Sequence, residues 1–144
     1  MSEKNDKRLP EAREGPEEAA WNFEVILRYT RAQALEDGVL IDVTDRAKEA
    51  GITIPVALTR AVWTRYVALT PAATKAGKDE EGRAWDLLWM FRTAALHKPK
   101  AREIHFELHV ITDHIAPSLV ALKALLTQGD QGEAVLTILL PEED

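Results

Sequence analysis

A chain of 144 residues is long enough to bury one core without help from disulfides or a structural metal, and at 46% hydrophobic and 29% charged it lies outside the composition of a disordered protein. The absence of cysteine excludes disulfides, thiolate zinc sites and a thiol nucleophile. The net charge of -6 argues against a general binder of phosphate backbones, which needs a surplus of Lys and Arg to release counterions.

Residues 1–20 are charge-dense and broken by Pro10, Gly15 and Pro16, with six acidic and four basic side chains. This stretch is expected to be a disordered tail, and residues 21–144 a single domain. Trp21, Phe23, Val25, Ile26, Leu27 and Tyr29 then arrive together, and burying the larger of them is worth about 1.5 to 3 kcal/mol each. Neither the start of the chain nor its interior shows an apolar run of membrane-spanning length, so a soluble cytoplasmic protein is expected.

Two rounds of helix punctuation follow. Thr30 caps a short helix from Gln33 to Asp37, Gly38 ends it in a left-handed conformation, and Val39 to Val43 reads as a strand. Thr44 then caps Asp45 to Ala50, Gly51 closes that helix, and Ile52 to Leu58 is an extended run interrupted by Pro55. Thr59 opens a third helix, Arg60 to Leu69, with Val62, Trp63, Tyr66, Val67 and Leu69 on its apolar stripe. Thr70-Pro71 stops it, and the segment to Lys78 reads as a flexible loop.

The next helix is the strongest in the sequence. Asp79, Glu80 and Glu81 place negative charge at its start, where the helix dipole favours it. Ala84, Leu87, Leu88, Phe91 and Ala95 make one stripe, and Trp85, Trp89 and Leu96 a second beside it. Such a helix has to be covered on more than one side, which makes Trp85 and Trp89 candidates for a subunit interface as well as for the core. Pro99 ends the helical region.

From Glu103 the period changes to two: Ile104, Phe106, Leu108 and Val110 alternate with Glu103, His105, Glu107 and His109, the pattern of a half-buried strand. Ser118 to Thr127 would also suit a helix through Leu119, Leu122, Lys123 and Leu126, but the turn Gln128-Gly129-Asp130-Gln131-Gly132 and the run Ala134 to Leu140 favour the first arm of a hairpin, with 104–111, 119–126 and 134–140 paired antiparallel. The expected architecture is α+β, with N-terminal helices and short strands packed on a small antiparallel C-terminal sheet.

The segments Tyr29 to Val43, Pro55 to Trp63, Trp85 to Met90 and the ending Leu140-Pro141-Glu142-Glu143-Asp144 resemble an uncharacterised bacterial family, a domain of unknown function often met among plasmid, phage and integrative-element genes. The resemblance covers about residue 25 to the end. It implies a mobile-element setting and carries no reaction, ligand or catalytic residue.

Three sets of polar residues stand out. His105, Glu107 and His109 share one face of a strand and have the chemistry of transition-metal ligands, with His114 or Asp113 as further donors. A strand holds His105 and His109 about 13 Å apart, too far for one ion unless it bends sharply, so a solvated polar face is the simpler reading. Glu36, Asp37, Asp42 and Asp45 crowd the first helix-strand-helix unit; a carboxylate pair there can serve acid-base chemistry, whereas helix ends and an outward strand position explain them equally. Arg28, Arg31, Arg60, Arg65 and Tyr66 make a basic-aromatic set of the kind that holds phosphate and stacks a base, although these aromatics are spaced for a core.

No phosphate loop, nucleophile elbow or His-Glu-x-x-His helix is present, and no cofactor or catalytic residue is assigned. The leading expectation is a non-enzymatic accessory or protein-interaction module with a protein partner, including a homodimer through the Trp-bearing helix or a sheet edge. Its alternatives are an acidic DNA mimic that inhibits a host defence protein, a metal-dependent hydrolase and a nucleic-acid-binding protein. Membrane association and nucleic-acid binding are not expected.

Overall fold

The computed structural model describes residues 29–143. Of these, residues 34–143 belong to one compact unit, distinct from the unit that holds residues 29–33. The expected tail, the aromatic cluster from Trp21 to Leu27, Arg28 and the boundary between residues 20 and 21 lie outside the described residues.

The two punctuated cycles are present. Helix α1, Arg31–Glu36, starts under Thr30, whose Oγ1 accepts the Gln33 amide at 3.0 Å, and Gly38 follows at φ 76°. Strand β1, Leu40–Asp42, leads to helix α2, Thr44–Glu49, and Gly51 leaves that helix at φ 90°. Thr44 is the first residue of α2 and not its cap, a correction that the local bonding explains. Its Oγ1 accepts the Val56 amide at 3.1 Å and donates to the Asp42 carboxylate, which in turn accepts the Thr44 amide. The hydroxyl therefore ties α2 to the next strand.

Strand β2, Val56–Thr59, is buried over its first three residues and runs directly into helix α3, Arg60–Val62, capped by Thr59 Oγ1 on the Val62 amide. The third helix is shorter than its periodicity predicts. From Trp63 to Val67 it widens into one π-helical turn closed by the Ala68 amide on the Trp63 carbonyl at 2.8 Å, and it ends there. Leu69 is exposed and not part of the stripe. The expected loop at 71–78 contains helix α4, Pro71–Lys75. Thr70 caps it by accepting the Ala73 amide, and Pro71 sits in the first turn, where its missing N–H costs nothing. The Thr-Pro pair thus starts a helix.

Helix α5, Glu80–Leu96, is capped by Asp79 through the Gly82 amide at 2.7 Å. It is followed by strands β3, Glu103–Val110, β4, Ser118–Gln128, and β5, Ala134–Leu139. The C-terminal meander is antiparallel as expected, but it is part of a larger sheet. All five strands join in the order β1-β2-β5-β4-β3, with β2 parallel to β5 through Val56 opposite Leu136 and Leu58 opposite Ile138. The protein is α+β, with a mostly antiparallel five-stranded sheet.

One face of that sheet carries Val56, Leu58, Ile104, Phe106, Leu108, Val110, Leu122, Ala124, Leu136 and Ile138 into the core. Alternation along each strand puts them on one side, and α5 covers them with Ala84, Leu87, Leu88 and Phe91. Phe91 meets Phe106 edge to face at 5.8 Å. Arg46 of α2 bonds both carboxylate oxygens of Glu81 and lies over the Trp63 ring, joining α2, the π turn and the start of α5.

Candidate functional site

The alternation that sends Phe106 and Leu108 inward puts His105, Glu107 and His109 on the opposite, exposed face of β3, with His109 also bordering a cavity at the start of α5. His105 Nε2 is 2.7 Å from Glu103 Oε2, and across the sheet it faces Lys123, a cation beside the position a metal would take. His109 stands opposite Leu119, and the His114 ring is 3.8 Å from Asp113 in the following loop. Among the described residues no three His, Asp or Glu side chains converge as a metal-binding group.

The carboxylates of the first unit are dispersed. Asp42 is held by Thr44, and Asp45 lies in the first turn of α2. Other carboxylates are engaged by the chain's own donors: exposed Glu81 by Arg46 and Glu142 by Arg65, and half-buried Glu143 by the Thr59 hydroxyl and the Leu140 amide. In the basic set, Arg60 donates to the carbonyls of Gly38 and Asp37, so it closes the chain after α1. Arg65 pairs with Glu142, and Tyr66 is half-buried. Arg60 and Arg65 are thus each engaged by the chain's own acceptors.

Two features remain. The first is the outer face of α5. The stripe beginning at Ala84 is buried, whereas Trp85 is 38% exposed and Trp89 40%, with Met90 and Leu96 exposed beside them. A helical step of four brings the two indoles together, and they stack at 5.1 Å with 9° between their planes. The Arg92 guanidinium lies over the Trp89 ring, 5.0 Å from its centre. The expectation that α5 is covered on both stripes is therefore met on one stripe only, because the sheet reaches one side of the helix and no described element covers the other.

The second feature is Arg83, which is only 6% exposed. Its Nε donates to the Tyr66 carbonyl at 3.0 Å and its Nη1 to the Ile111 carbonyl at 2.9 Å, stapling the end of the π turn to the segment after β3. Nη2 is buried without a hydrogen-bond partner. Desolvation lowers the pKa of the group from its ordinary value. An unmet buried donor costs about 1 to 3 kcal/mol, and more on a charged group. Arg83 lines a cavity of about 110 Å³ with Tyr66, Lys78, Asp86, His109 and Pro117, floored by Leu108, Val110 and Ile111. Sequence reasoning missed this residue because Arg is usually a solvent residue, although it stands four before Leu87 and eight before Phe91 on the buried stripe.

Residues 19–144 match a family model described as "Family of unknown function (DUF6573)", and the chain belongs to that family. Neither a curated protein nor a solved structure matches it. No helix among the described residues is long and apolar enough to cross a membrane.

Proposed function

We propose that this member of the DUF6573 family is a non-enzymatic protein-interaction module whose docking surface is the outer face of α5, and that its first partner is a second copy of itself. The observation that carries the reading is the stacked pair Trp85 and Trp89, left two-fifths exposed beside Met90 and Leu96. Large aromatics held rigid on a helix supply contact area at little entropic cost, which is why Trp anchors are frequent at interface centres.

The charges flanking that pair favour self-association. Asp86 lies three residues before Trp89 and Arg92 three after it. When two copies of α5 cross antiparallel about a two-fold axis at Trp89, Asp86 of each meets Arg92 of the other, so the patch is complementary to itself. The mobile-element resemblance of residues 29–43, 55–63, 85–90 and 140–144 extends the proposal to an accessory protein of such an element.

Sedimentation velocity tests the reading. The wild-type chain should shift from monomer to dimer over the micromolar range, and Trp85→Gln with Trp89→Gln should weaken dimerisation by at least about a hundredfold, as expected when two central anchors are lost. A wild-type chain that stays monomeric at millimolar concentration contradicts it.

A further inference from the structure

The cavity beside Arg83 lies apart from the Trp pair and is built differently. We propose that it is a binding site for a small monoanionic organic carboxylate, whose head group pairs with the charge of the Arg83 guanidinium at the cavity wall and whose apolar body rests on Tyr66, Leu108 and Pro117.

Four observations carry the assignment. Arg83 is more than nine-tenths buried, yet its bonds go to two neutral carbonyls and no described carboxylate pairs with it. A buried charge without a counterion is costly, and the cavity that Arg83 lines leaves room for an anion beside it. The volume of about 110 Å³ exceeds the space of a single water several-fold and accepts a carboxylate with a short apolar body. Lys78 also lines the cavity, adding a second cationic head of the kind that pairs with carboxylates.

The remaining lining selects within the class of anions. Leu108, Val110, Ile111 and Pro117 offer no donors from their side chains, so they favour an apolar body over a fully hydrated ion. Asp86 shares the lining and is exposed, and its charge opposes a doubly charged anion more than a singly charged one. Phosphate is therefore disfavoured against hexanoate or benzoate.

The test titrates the full chain with sodium hexanoate, sodium benzoate and sodium phosphate, following nitrogen-15 NMR shifts, including the Arg83 Nε–H signal. Hexanoate or benzoate should saturate, shift that signal, and bind at least about tenfold more tightly than phosphate. Arg83→Gln should weaken binding by at least about tenfold, but it also disturbs the two carbonyl bonds. Lys78→Glu, an exposed change at the same cavity, should weaken it several-fold with the amide spectrum otherwise unchanged. Absence of saturable shifts for all three anions, equal affinity for phosphate, or carboxylate binding untouched by both substitutions overturns the proposal. Each outcome is read independently of dimerisation when the Trp85→Gln and Trp89→Gln variant is titrated in parallel.

Discussion

Single residues decide several local conformations. Gly51 has φ +90°, and a Cβ there would stand 2.9 Å from Arg92 Nε, whereas Gly77 has φ +79° with nothing within 4 Å. Both positions demand the left-handed region, but only Gly51 adds a close approach to a side chain held over Trp89. Gly51→Ala is expected to lower stability by about 1 to 3 kcal/mol, and Gly77→Ala by about 1 kcal/mol, in urea unfolding followed by far-ultraviolet circular dichroism. Equal costs would show that the Arg92 side chain yields freely. Thr44 makes a second case, because its hydroxyl satisfies the Val56 amide at the start of the parallel pairing. Thr44→Val keeps the shape, leaves that amide without its acceptor, and should cost about 1 to 3 kcal/mol by the same measurement.

At the scale of elements, α5 works through two unlike stripes. Leu88 is fully buried between helix and sheet, so Leu88→Ala should destabilise by about 2 to 5 kcal/mol through lost transfer energy and the cavity left behind. Trp85→Gln and Trp89→Gln, changed on the exposed stripe, should each cost the isolated subunit about 1 kcal/mol or less, measured by urea unfolding at a concentration that keeps the chain monomeric. A loss at Trp89 as large as at Leu88 would mean that the indole belongs to the core. Period-two alternation made β3 legible to within one residue, 104–111 against Glu103–Val110, and the Gly-rich turn favoured the β4–β5 hairpin over a helix at 118–127. The parallel pairing of β2 with β5 was not legible, since no local pattern records a contact between Val56 and Leu136, eighty positions apart. Helix α4 was hidden because Thr70-Pro71 both stops one helix and starts another, and the π turn because 3.6-residue periodicity assumes a regular helix. The candidate sites divide in the same way. The exposed face of His105, Glu107 and His109 follows from alternation, whereas the cavity at Arg83 requires the end of α3's π turn, α5 and β3 to meet, which only tertiary structure provides.

Among the described residues, the main core cluster lies between one face of the sheet and one side of α5, Ala57, Val135 and Leu139 are buried on the opposite face of their strands, and the far side of α5 exposes Trp85 and Trp89. The absence of cysteine allows the interface to be located with introduced thiols. Met90 is exposed next to Trp89, close to the proposed two-fold axis, whereas Glu107 lies on the sheet face turned away from α5. A disulfide forms readily only where two Cα atoms come within about 7 Å of each other. Mild oxidation of the Met90→Cys chain should give a covalent dimer in high yield at low protein concentration, and the Glu107→Cys chain should remain monomeric. Equal cross-linking of the two chains, or none at Met90→Cys, would contradict a dimer built on the outer face of α5.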